Sequence, residues 1–103
     1  MSQIQNQWDE IVHIESEMAR YLLALGVDWH DTAAMTQLAS EFKVFDPARA
    51  QAAYASRDAA RINKAKLFAL AAMMMRTMES AARDDRDVHG GDIWKAFAKH
   101  LYV

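Results

Sequence analysis

AKLFALAAMMMRTMESAA, residues 65–82, decides the fold, because it is the only run in the chain that is apolar on nearly every side. Its residues are almost all small or straight-chained, and such residues are the strongest helix formers. A helix that is apolar around most of its circumference has to be enclosed by other helices. The sequence therefore predicts an all-α fold, a compact bundle of four to five helices around a central Met/Ala-rich helix at about 57–83.

Methionine is concentrated in this central helix, where Met73, Met74, Met75 and Met78 fall within six residues. Its flexible side chain fills irregular gaps in a core, and it also forms binding surfaces that adapt to different partners. Apolar residues at helical spacing are typical of a core. We expect a core role for the group and keep Met74, Met75 and Met78 as candidates for contact with a partner.

Length and composition limit the remaining possibilities. The 103 residues predict one helical domain, residues 1–103, and the chain has no cysteine, which excludes disulfides, thiolate nucleophiles and cysteine-bound metals. The first ten residues show no basic segment followed by an apolar one, and no run of 18 apolar residues occurs. We therefore expect a cytoplasmic protein that does not enter a membrane and carries no cofactor.

Working outward from the central helix, turn and cap residues divide the rest of the chain. A first amphipathic helix runs from about Ile4 to Leu25 and ends at Gly26, a residue suited to a left-handed cap. A second begins after Asp28 or Asp31, either of which can accept amide protons of the first turn, and reaches about Phe42.

The second half of the chain begins with Asp46-Pro47, a strong helix start because proline at the first position loses no hydrogen bond. Residues 47–83 are compatible with one helix or with two. A break at 55–58 is favoured, with Ser56 as a new cap. A last helix from Ile93 to about Leu101 follows Gly90-Gly91, and Asp92 is its expected cap.

Glu15 interrupts the apolar side of the first helix. It is a functional carboxylate, the partner of a buried base such as Arg57 or Arg61, or a residue at the edge of an apolar stripe centred near Val12 and Ala19. The last interpretation is favoured, because unpaired buried acids are rare.

Charge is distributed unevenly along the chain. Residues 1–46 carry eight acids and two bases, residues 47–66 carry five bases and one acid, and the remainder is neutral. Opposite charge on successive segments suggests that the first part docks on the middle, within one chain or across a dimer.

Three groups that contain a histidine are candidate sites of chemistry. Glu10, His13 and Glu17 share one helical face, which is half of the pattern of a carboxylate-bridged metal bundle, but a second Glu-x-x-His pair is missing. Trp29-His30-Asp31 and His89-Gly-Gly-Asp92 each place a histidine near an aspartate. No nucleophile, base and anion hole can be assembled from these residues, so the sequence favours a non-enzymatic protein.

Arg57, Arg61 and Lys64 follow each other at spacing i, i+4, i+7 and predict one basic stripe on the central helix. Such a stripe is usually a solvated face, and this interpretation is favoured, but the stripe could also hold phosphates or an acidic partner. It supports an alternative function, a nucleic-acid-associated regulator, whose binding would weaken steeply with salt.

The segment RDVHGGDIWKAF, residues 86–97, which follows the long central helix, resembles the second loop and third helix of histone-fold proteins. The resemblance covers some 40 residues. Asp84, Asp85 and Asp87 occupy the loop that is basic in DNA-binding members. The resemblance therefore implies pairing of two chains through the central helix and not the wrapping of DNA.

These observations lead to one main functional expectation. We expect a small non-enzymatic helical protein-protein interaction protein, an adaptor, an inhibitor or a subunit of a larger assembly, that acts as a homodimer. Its partners are a second copy of itself and another protein, and the candidate partner-binding residues are Arg57, Arg61, Lys64, Met74, Met75 and Met78.

Overall fold

The computed structural model describes residues 3–101, and side chains from Gln7 onward. Within these residues the chain forms five helices and no strand, which confirms the predicted all-α bundle. The helices are α1 (Gln3–Ala24), α2 (Thr32–Lys43), α3 (Pro47–Ala55), α4 (Ala59–Arg83) and α5 (Asp92–Ala98). No helix among the described residues is long and apolar enough to cross a lipid bilayer.

The long helix α4 is the centre of the molecule, as predicted. Its buried residues are Ala65, Leu67, Phe68, Ala71, Met74, Thr77 and Ala81. They pack with the buried side of α1, which consists of Ile11, Ile14, Met18 and Leu22. A helix with this much apolar surface is stable only when it is covered, and α1 provides most of the cover.

Helices α1 and α4 lie antiparallel. Near the start of α1 the Thr77 hydroxyl donates to Glu10 Oε1 at 3.1 Å, and an Arg86 N–H donates to Gln7 Oε1 at 3.1 Å. Further along α1, the ammonium group of Lys66 lies 6.0 Å from the ring centre of Tyr21. Residues nearer the end of α1 therefore contact residues nearer the start of α4, so the two helices run in opposite directions.

The predicted caps at Gly26, Asp31 and Asp46 are confirmed. Gly26 has φ +71° and ends α1, with its N–H and that of Val27 bonded to backbone carbonyls of the last turn. Asp31 accepts from the Ala34 N–H at the start of α2. Asp46 accepts from the Arg49 N–H at the start of α3, with proline at the first helical position.

Residues 56–58 separate α3 from α4, so residues 47–83 form two helices. The prediction that Ser56 caps α4 was wrong. Ser56 ends α3, and its hydroxyl donates to the Ala53 carbonyl and accepts from the Asp58 N–H. Arg57 has φ +58° and lies outside α4, which begins at Ala59. The left-handed conformation of Arg57 turns the chain between the two helices.

The start of α5 also differs from the prediction. Its N-cap is Gly91 and not Asp92, and no side chain of the cap residue bonds the first turn. The helix ends at Ala98, before Leu101. Trp94 and Phe97 are its buried residues, whereas Ile93 is only half-buried. The core side of α5 is therefore formed by Trp94 and Phe97.

Candidate interaction surfaces

Glu15 caps α5 from another helix. Its Oε1 accepts from the Gly91 N–H at 2.7 Å and its Oε2 accepts from the Trp94 N–H at 2.9 Å. The favoured interpretation, a stripe centred on Val12 with Glu15 at its edge, was wrong, because Val12 is 61% exposed. The carboxylate satisfies amide groups that α5 cannot satisfy with its own cap residue.

The Gly90-Gly91 pair is explained by this contact and by the packing beside it. A Cβ on Gly91 would lie 2.7 Å from Glu15 Oε1, and a Cβ on Gly90 would lie 2.7 Å from the Trp94 side chain. Both glycines therefore allow close approach. The sequence signal for this contact was an acid inside an apolar seam together with two adjacent glycines before a short helix.

The predicted basic stripe is divided in the structure. Arg57 lies in the turn before α4 and does not share a helical face with the other two cations. The Arg61 Nε lies 3.6 Å from Asp58 Oδ2, and the Lys64 Nζ lies 3.1 Å from Glu41 Oε1. The arrangement is therefore not one continuous row of free cations. Arg61 and Lys64 instead border a hollow of about 390 Å³ between α2 and α4.

The candidate methionines have different environments. Met74 is 0% exposed and belongs to the core, so it is not available to a partner. Met75 and Met78 are half-buried and pack against the core from its edge. The neighbouring Met73 is 39% exposed and was not among the candidates.

The acid and histidine groups form no assembled site. In the described part of the chain, no three His, Cys, Asp or Glu side chains are placed together to hold a metal ion. Glu10 accepts from Thr77, and Glu17 pairs with Arg20 at 3.0 Å. The third member, His13, is exposed.

The other two histidine motifs form local contacts. Two contacts with His30 hold the pKa of the Asp28 carboxyl below its ordinary value. The larger contribution comes from the backbone N–H of His30 and the smaller from its imidazole, whose Nδ1 lies 2.9 Å from Asp28 Oδ1. The His30 ring also stacks on Trp29. His89 contacts the ring of Trp8 edge-on, with the ring centres 5.2 Å apart.

One side of the α1/α4 pair carries partly exposed apolar groups together with charged residues of both helices. We call this side the α1/α4 face, and it consists of Glu10, Glu17, Tyr21, Lys66, Leu70, Met73 and Arg76. Two shallow hollows lie along it, of about 300 Å³ beside Met73 and about 220 Å³ beside Leu70. The half-exposed ring of Tyr54 from α3 borders the second hollow.

A separate groove lies between the end of α4 and α5. We call it the α4/α5 groove, and its floor is apolar: Met78, Val88, Gly90, Trp94 and Ala98. Lys95 and Lys99 lie on its rim with His89, and its volume is about 380 Å³. It is an open trough within the size range of pockets that bind ligands.

No protein-family model, curated protein or solved structure matches this chain. The resemblance to histone-fold proteins implied pairing of two chains through the central helix. The side of α4 that contains Met74 is covered within the same chain. Pairing of two chains through that side would require α1 to move away.

Proposed function

We propose that the chain is a protein-protein interaction protein that acts as a homodimer through the α1/α4 face. The observation that carries this proposal is the order of charge on that face. The row on α1 is acidic, with Glu10 and Glu17, and the row on α4 is basic, with Lys66 and Arg76. Exposed Met73 lies within the basic row.

Each acidic residue of the α1 row lies at the same level along the helix axes as a basic residue of the α4 row. Glu10 lines the same hollow as Arg76, and Glu17 lines the same hollow as Lys66. A two-fold axis parallel to the helices preserves these heights while it exchanges left and right. It therefore brings Glu10 opposite the Arg76 of a second copy and Glu17 opposite its Lys66, so that these residues meet in pairs of opposite charge.

Repulsion between the acidic rows disfavours the other two-fold arrangement in which the α1/α4 faces of two copies meet. A two-fold axis perpendicular to the helices would lay α1 on the second α1, with acid facing acid. Like-charge contacts across an interface cost several kcal/mol. The α1/α4 face is thus complementary to itself in one orientation only, which is what a specific dimer requires.

The area of the face indicates a weak dimer. On α1 the face runs from Glu10 to Tyr21, about 18 Å at 1.5 Å per residue, and two adjacent helices are about 20 Å wide. The interface would then bury roughly 700 Å² in total, the size of a weak and transient contact, so we expect the dimer to dissociate on dilution.

The nucleic-acid alternative receives no support from the geometry of the basic residues. Arg61 and Lys64 each lie beside a carboxylate, and Arg57 lies in a turn. The net charge of −2 also disfavours a general nucleic-acid binder. The cytoplasmic location remains a prediction.

Sedimentation equilibrium tests the proposal. The wild-type chain should sediment at twice the monomer mass of 11.7 kDa, and Met73→Glu should shift it toward the monomer. Val12→Glu, a change at an exposed apolar residue of α1 outside the face, is the matched control and should leave the dimer intact. A wild-type monomer at all concentrations, or equal loss of dimer in both variants, would contradict the proposal.

A further inference from the structure

We propose that the α4/α5 groove binds a short acidic, apolar segment of a second protein. The groove has an apolar floor, which would gain stability from being covered by apolar side chains. Its rim carries Lys95 and Lys99, and no acid lines it. The structure gives neither lysine an ion pair among the described residues.

The spacing of the lysines specifies the ligand further. Lys95 and Lys99 are four residues apart, one at the last turn of α5 and one at its C-cap, and both border the same trough. Two cations along one edge of an apolar trough match carboxylates one helical turn apart, flanked by apolar residues. The ligand that matches the groove is an amphipathic helix with carboxylates along one edge of its apolar face.

The chemistry of the floor favours a protein over a nucleic acid. Trp94 is 5% exposed, so its ring cannot serve as a platform on which a base stacks. Met78 contributes a flexible side chain, which suits a groove that adapts to apolar residues of different shape.

This site is separate from the proposed dimer. Met78 lies five residues after Met73, about 140° further around α4 at 100° per residue. The α4/α5 groove therefore stays open when the α1/α4 face is covered, and one dimer would present two such grooves.

A displayed library of random 14-residue peptides tests the inference. The wild-type chain is panned in parallel with Lys95→Glu/Lys99→Glu and with the control Lys43→Glu/Arg83→Glu, which reverses two exposed cations outside the groove. Peptides enriched on the wild type should combine carboxylates with apolar residues at helical spacing. A synthetic copy should bind the groove variant at least tenfold more weakly and the control as it binds the wild type.

The position of binding is read from amide chemical shifts, which should change at Val88, Trp94 and Ala98. No enrichment above background, enriched peptides without carboxylates, or equal binding by the groove variant would overturn the inference. The sedimentation mass of Lys95→Glu/Lys99→Glu should equal that of the wild type. Failure of the groove is therefore distinguishable from failure of the dimer.

Discussion

Glu15 shows how a single carboxylate can fasten one helix to another. It lies half-buried on the apolar side of α1 and accepts N–H bonds from Gly91 and Trp94 at the start of α5. A negative charge at a helix N-terminus is favourable because unpaired N–H groups and the helix dipole point toward it. The seven residues of α5 are too few for a stable isolated helix, so the anchor matters more there than in a long helix.

Removal of this carboxylate should loosen α5. We expect Glu15→Ala to lower the free energy of unfolding by about 0.5–2 kcal/mol, the usual cost of removing a capping side chain. Urea denaturation measures the loss, and hydrogen exchange at Gly91 and Trp94 should accelerate. His13→Ala, at an exposed residue of the same helix, is the control. Equal destabilisation by both variants would contradict the capping role.

Gly91 should depend on Glu15. A Cβ at Gly91 would lie 2.7 Å from Glu15 Oε1, so Gly91→Ala should displace the carboxylate and destabilise the protein by about 1–2 kcal/mol. In the Glu15→Ala background the same substitution should cost clearly less, because the carboxylate that would clash with the new Cβ, and whose hydrogen bond would be lost, is already absent. Additive costs in the double variant would show that the two residues act independently.

Asp85 adopts φ +58° directly after α4, in the left-handed position that glycine occupies after α1. Its N–H bonds the Ala82 carbonyl, and the following N–H bonds the Ala81 carbonyl. We expect Asp85→Gly to raise the free energy of unfolding by about 0.5–1 kcal/mol, because glycine adopts this conformation without steric cost. Asp84→Gly, with φ −87° at the preceding residue, should not stabilise. An unchanged urea midpoint for Asp85→Gly would contradict the argument.

At the scale of helices, the fold depends on how completely α4 is covered. Met74 and Met73 are adjacent in sequence, yet one is 0% and the other 39% exposed. We expect Met74→Ala to cost about 2–5 kcal/mol through the cavity it leaves, and Met73→Ala under 1 kcal/mol in the monomer. Chemical denaturation at a concentration that keeps the chain monomeric compares the two. Similar losses would mean that α4 is not enclosed as described.

Most of the helices were predictable from the sequence because their signals are local. The left-handed cap at Gly26, the caps at Asp31 and Asp46, and the break near 55–58 each depend on residues within one turn of the boundary. The cap of α5 was not predictable in this way. It comes from Glu15, 76 residues before Gly91, and local reasoning assigned it to Asp92.

The candidate surfaces were less predictable than the helices. Arg57 was expected on α4 because its spacing to Arg61 and Lys64 is helical. The sequence does not show that Arg57 itself has a left-handed backbone conformation, which places it in the turn before α4. Met74 was a candidate because a sequence cannot show which methionine of a run faces α1. The α1/α4 face combines residues from two helices, and its charge order depends on their antiparallel packing, which the spacing within either helix does not reveal.

For the whole molecule, the self-complementary charge of the α1/α4 face is the central claim. The proposed two-fold arrangement places Glu17 opposite the Lys66 of the second copy, twice per dimer. In a dimer of Glu17→Arg alone, or of Lys66→Glu alone, both contacts would bring together two residues of the same charge. A mixture of the two variants would restore attraction at both contacts. Each variant loses one contact within its own chain, Glu17–Arg20 or Lys66–Tyr21, but mixing does not alter this loss, so a regained dimer reports on the interface.

Sedimentation equilibrium of Glu17→Arg, of Lys66→Glu and of their equimolar mixture is the most direct measurement. We expect a mass near the 11.7 kDa monomer for each variant alone and near twice that mass for the mixture at the same total concentration. A mixture that stays monomeric, or single variants that keep the wild-type dimer, would contradict it.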